Sequence, residues 1–253
     1  MSIEAPVRTN LGGVRLGAAE TVIARRLLTE MWKLSRWFWL ASLVIATLVG
    51  ATLAQFSTVT SSIWEYATQW PCWWLFAMAT VLVNTYLPIV VAQGVTRRAA
   101  LRAGAVVAGL TALIWAGFMV FGHVVERTVY GWLGWPDTMS TPHLFSNGYD
   151  VLPMLAEYWV IFLAYLATGT AIGGLYYRLG GFRATLLLLP AMLPVVATEV
   201  LLSTSWYGAG LQDGLSFDRP AAPVLAVALV VVLSFPVLAS YLLLRDVPLR
   251  SKK

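Results

Sequence analysis

Six windows of this chain are each long and apolar enough to cross a bilayer, and nothing else limits its fold as strongly. About 20 residues of apolar helix span a hydrocarbon core of about 30 Å. The windows are residues 37–56, 73–91, 101–121, 158–177, 184–202 and 222–244. None alternates apolar and polar residues as a barrel strand does, so the expected fold is an all-α bundle of six transmembrane helices. The rest of the chain cannot offset that apolarity. Hydrophobic residues make up 59% and charged residues 11%, whereas a soluble domain carries about a quarter charged residues. About 36 residues precede the first window, more than the basic segment of a signal peptide holds, so that window is read as a span.

The charges orient the bundle. All but two of the 17 basic residues fall before the first window, between the second and third, between the fourth and fifth, or after the sixth. The exceptions, Arg127 and Arg219, share the other side with eight acids: Glu65, Glu126, Asp137, Asp150, Glu157, Glu199, Asp213 and Asp218. Basic loops stay in the cytoplasm. Both termini are therefore expected there. The expected organisation is an N-terminal segment (1–36), a six-helix domain (37–244) and a basic tail (245–253) holding Arg245, Arg250, Lys252 and Lys253. Paired aromatics such as Trp37 and Trp39, Trp73 and Trp74, and Trp206 and Tyr207 lie near the window ends, where amphipathic rings favour the headgroup level.

Several segments outside the windows carry patterns of their own. Residues 18–36 place Ile23, Leu27, Met31 and Leu34 on one helical face and Arg25, Arg26, Lys33 and Arg36 elsewhere. This predicts an amphipathic helix lying on the membrane, separate from the first span. Residues 122–157 form the longest external connection, and Pro136, Pro142, Gly148 and Pro153 argue against one continuous helix there. The Gly-rich external segment 203–220 has room for a brief re-entrant turn.

Within the windows, Gly169 and Gly173 in "GTAIGG" stand at the small-residue spacing that lets helices approach closely. Pro190 and Pro194 in "LPAMLP", and Pro236, are kink or hinge candidates. Glu199, near the outer end of the fifth window, is a carboxylate within a span. Such a group marks a substrate path or gate by default, the other reading being a side chain that snorkels outward or bonds a neighbouring helix.

Other functions are argued against directly. The three lysines, Lys33, Lys252 and Lys253, cannot complete a GxxxxGK[ST] phosphate loop, so no ATP site of that kind is expected. His123 and His143 are too few for a metal cluster, HExxH is absent, and no catalytic constellation is expected. Cys72 is the single cysteine, so no internal disulfide forms. The net charge of +5 reflects membrane orientation and calls for no nucleic acid.

The order of a basic amphipathic helix, six spans with both ends inside, and a short basic patch between the second and third spans resembles the permease subunits of ATP-binding-cassette exporters, in the type-2 exporter branch. The stretch "VAQGVTRRAALRAG" is similar to a Gly-x-Thr-Arg-Arg motif that many small permeases carry at this point. The resemblance implies a substrate pathway formed with a second copy of the permease. It implies two separately encoded ATPase subunits that hold the ATP and Mg. Gly94, Thr96, Arg97, Arg98, Leu101 and Arg102 would then form the element that couples them. It also implies residence in a cell membrane, the bacterial cytoplasmic membrane in particular. A largely apolar bundle suits a lipophilic or amphipathic cargo such as a drug, peptide antibiotic or lipid. The long connection between the third and fourth spans departs from better-known members, whose larger external element lies between the last two. The basic patch has a second reading, as a topology signal only. The alternative for the whole chain is a non-transporting membrane scaffold, sensor or immunity protein.

Overall fold

A computed structural model describes residues 9–11, 14–56, 59–136, 138–146 and 149–246. Arg8, Asp137, Gly148, Arg250, Lys252, Lys253 and the side chains of Arg15 and Trp206 lie outside this description. A short antiparallel ribbon pairs β1 (Thr9–Leu11) with β2 (Val14–Leu16). Nine helices follow among the described residues: α1 (Ala18–Phe56), α2 (Ile63–Ala67), α3 (Gln69–Ala92), α4 (Arg97–Leu133), α5 (Val151–Leu179), α6 (Gly181–Leu186), α7 (Leu188–Leu202), α8 (Trp206–Gly214) and α9 (Ala222–Leu244). Six segments are long and apolar enough to cross a membrane: α1, α2 with α3, α4, α5, α6 with α7, and α9. The chain is thus a multi-pass helical membrane protein by length and composition.

The central helix is α5, which packs against α3, α4, α7 and α9. Its Tyr158, Ile161, Phe162 and Tyr165 are fully buried and join Leu75, Trp115, Met119 and Leu202 in the main core. An aromatic seam ties α1 to α3 and α4. Phe38 stacks on Trp74 at 4.9 Å, and Trp39 meets Trp115 at 5.0 Å and Phe118 at 5.1 Å. Trp39 and Trp74 therefore pack inward, whereas Trp37 and Trp73 are exposed as headgroup anchors would be.

The structure corrects three sequence expectations. First, α1 is one helix through residue 36, with no boundary between an interfacial helix and a span. No Gly or Pro near that point breaks it. The face holding Ile23 and Met31 packs on α4, with Ile23 and Ala24 against Ala103 and Val107, while Leu34 is exposed. Second, the long connection shrinks to residues 134–150. The helix α4 continues to Leu133 because buried His123 and Tyr130 extend its packed face, and it stops at Gly134 with φ 69°. Pro153 falls in the first turn of α5, where its missing N–H costs nothing. Third, Pro190 marks a full break in the fifth span rather than a bend. It lies in the first turn of α7, after a helix break at Leu187. Pro194 and Pro236 are interior, as is Pro88 of α3.

The two ends of the bundle differ in charge. At one end lie the start of α1, the α3–α4 turn and the close of α5 and α9, joined by Arg102–Glu20 at 3.8 Å and by Arg178 donating to the Leu242 carbonyl at 3.1 Å. The other end gathers Glu65, Glu126, Glu157, His143 and Arg219.

Candidate functional site

Glu199 sits one turn before the end of α7 and is buried. The Tyr165 hydroxyl of α5 donates to its Oε1 at 3.0 Å, and Thr204 Oγ1 donates to its Oε2 at 2.9 Å. Tyr207 of α8 lies 2.9 Å from the Tyr165 hydroxyl and extends the chain of polar groups. Burial, and then the Glu199 charge, push the Tyr207 phenol further up, so it remains a neutral hydrogen-bonding group. The short helix α8 returns toward this site, with Gly208 packed on the Glu199 carbonyl. The arrangement holds a buried carboxylate by hydrogen bonds from two elements, α5 and the α7–α8 connection, with α8 bonded behind Tyr165.

A second polar cluster closes the acidic end. His143 Nδ1 lies 2.5 Å from Glu157 Oε1, and Nε2 lies 3.3 Å from Glu65 Oε1. Glu65 also accepts from the backbone N–H groups of Ser140 (2.6 Å) and Thr141 (2.9 Å), and Glu157 from that of Leu144 (2.5 Å). Burial alone would push the imidazole down. The hydrogen bonds and charges of Glu157 and Glu65 outweigh it and hold His143 at about 9. The ring is therefore an imidazolium that bridges α2 and α5 through the connection 138–146. Arg219 adds a second cation. It donates to the carbonyls of His143 at 2.8 Å and Pro142 at 3.0 Å, and to that of Leu202 at the end of α7. Glu126 caps α2 in the same region, accepting from the Ile63 and Trp64 N–H groups at 2.8 Å each.

Residue types alone gave no sign of this cluster. Glu65 lies 78 positions from His143, which lies 14 from Glu157, and each reads as an ordinary charge outside a span.

At the basic end, Gln93 to Thr96 form the whole link between α3 and α4. Gly94 takes φ 85°, which L side chains rarely adopt, and Thr96 Oγ1 accepts from the Ala99 N–H at 3.3 Å to cap α4. Arg98 and Arg102 are exposed, and Arg97 and Leu101 are half-buried. Arg98, Leu101 and Arg102 line the mouth of a cavity of about 570 Å³ among α1, α3, α4, α5 and α9.

Gly169 and Gly173 face α3. A Cβ at Gly169 would stand 2.4 Å from the Phe76 carbonyl oxygen, and one at Gly173 2.9 Å from that of Thr80. Thr80 and Asn84 of α3 donate to the Gly169 and Gly173 carbonyls at 3.0 and 3.3 Å. No group of His, Cys, Asp and Glu able to hold a metal occurs among the described residues.

Comparisons with protein-family models, curated proteins and solved structures gave no match for this chain.

Proposed function

We propose that the chain is the transmembrane permease subunit of an ATP-binding-cassette exporter, working as a dimer and driven by separately encoded ATPase subunits that carry the ATP and Mg. In this reading both termini and the α3–α4 turn face the cytoplasm, and the protein resides in a bacterial cytoplasmic membrane. The cargo is lipophilic or amphipathic.

The α3–α4 turn is the observation that carries the reading. It joins two long helices through four residues, from Gln93 to Thr96, and Gly94 and the Thr96 cap constrain its shape. Force applied to a link this short reaches both helices at once. Its arginines present planar, multi-donor groups suited to a partner's carboxylates. The adjoining cavity gives such a movement something to open or close.

The test is whether an ABC ATPase is encoded beside this chain's gene and, on co-expression, co-purifies with the chain. Arg97→Glu and Gly94→Val leave Arg98 and Arg102 to hold the topology, so both variants insert normally. Both lose the ATPase and its cargo-stimulated hydrolysis. If inserted, folded variants keep the partner and full coupled hydrolysis, the turn is a topology signal only and the coupling assignment fails.

A further inference from the structure

A groove of about 560 Å³ runs between α1 and α4. Its residues come from these two helices alone, among them Arg25, Leu28, Met31 and Trp32 of α1 and Ile114 and Trp115 of α4. A furrow made by two helices opens onto whatever surrounds the bundle. In a multi-pass membrane protein that is lipid.

The groove has an apolar track and a cationic end. Met31 and Trp115 are buried at its floor. The apolar surface continues outward over Trp32, which is 52% exposed and stacks on Phe118 at 6.3 Å, and over Ile114, which is 47% exposed. Arg25 stands toward the start of α1, about 10 Å along the helix from Trp32.

The charge on this side of α1 is unmatched. Both acids of the helix are already engaged, Glu20 by Arg102 at 3.8 Å and Glu30 by Lys33 at 2.9 Å. Arg25, Arg26 and Arg36 are exposed and have no acidic partner among the described residues. A zwitterionic headgroup brings no net charge to balance them, whereas an anionic one does. A second copy of the chain docked face to face here by two-fold symmetry would set arginine against arginine. A guanidinium beside an apolar track matches a molecule that joins a phosphate to a long chain.

We propose that this groove binds one anionic phospholipid, its phosphate at Arg25 and one acyl chain laid over Trp32 and Ile114. The site stands apart from the exporter reading, and binding is measured without any ATPase.

The test uses the purified full-length chain in nanodiscs of neutral phosphatidylcholine. These are doped with phosphatidylglycerol or phosphatidylcholine whose chains carry bromine, which quenches tryptophan fluorescence on contact. The quenching of Trp32 is the difference between the parent and Trp32→Phe. Brominated phosphatidylglycerol reaches half its effect at about a fivefold lower mole fraction than brominated phosphatidylcholine, the preference that one arginine supplies. Arg25→Gln changes an exposed side chain, keeps the melting temperature and removes that preference. Arg183→Gln removes an equal charge from α6, outside the groove, and leaves the preference intact. Soluble glycerol phosphate does not displace the lipid, because it lacks the chain. Equal quenching by the two lipids overturns the proposal. So does a preference that survives Arg25→Gln, a preference lost as fully in Arg183→Gln, or displacement by glycerol phosphate.

Discussion

His143 Nδ1 lies 2.5 Å from the Glu157 carboxylate, a contact that reaches from the connection 138–146 to the buried first turns of α5. The proton on His143 holds that contact together. The folded protein binds it with a pKa of about 9, against an ordinary value of 6.5. A raised pKa means that the stabilisation is complete below pH 6.5. It shrinks as pH rises and is gone above about 9, a change on the order of 3 kcal/mol across the window. Melting temperature in detergent should fall between these limits. His143→Gln should start lower and lose most of that slope.

Glu199 accepts from both Tyr165 and Thr204, so a neutral amide cannot replace it fully. Glu199→Gln keeps one acceptor oxygen and should cost about 1–3 kcal/mol. Tyr165→Phe should cost a similar amount. The double variant should cost less than the two single losses added, because both act on the Tyr165–Glu199 contact. Denaturation of the four proteins measures the coupling. In the exporter reading Glu199→Gln also lowers transport while the protein stays folded and inserted.

Gly169 sits against the Phe76 carbonyl, a backbone atom that cannot swing aside. Gly169→Ala should destabilise by about 1–3 kcal/mol through overpacking. Gly104→Ala, which meets open space, should be neutral or slightly stabilising in the same melting assay.

Arg219 gathers three carbonyls, two from the α4–α5 connection and one from the end of α7. Lysine offers a single nitrogen and cannot reproduce that fork. Arg219→Lys should cost about 2 kcal/mol and raise amide hydrogen exchange in residues 138–146, with α5 unchanged. Exchange that stays at the parent rate would show that Glu65 and Glu157 hold the connection unaided.

Much of the spanning architecture could be read in advance because apolarity over about 20 residues is a local property. The Gly169–Gly173 spacing is local too, and it signals a close approach without naming the partner. The helix ends were less legible. Charged residues such as Glu126 mark the edge of an apolar window, yet here the helix runs on, because the carboxylate is satisfied by Ser62, Ile63 and Trp64. Those partners lie 62 to 64 positions away. The Glu65–His143–Glu157 cluster was hidden for the same reason. Its charges have no shared spacing, and only the packing of α2 against the returning connection brings them together.

The unbroken course of α1 has a consequence for the surrounding lipid. From Ile23 to Trp32 this helix follows α4 from Ala103 to Phe118, and Arg25, Arg26, Lys33 and Arg36 point outward along this face or just beyond it. Among the described residues, Lys33 alone of these four pairs with an acid, Glu30 at 2.9 Å. Acyl chains laid against these cations would cost about 2.5–3.5 kcal/mol for each one. Wherever this stretch lies at hydrocarbon depth, acyl chains cannot close around the protein as an even collar. With this stretch of α4 at hydrocarbon depth, the collar would be notched at α1, with water and headgroups drawn down beside the arginines and the membrane reaching less far along that side than along the other.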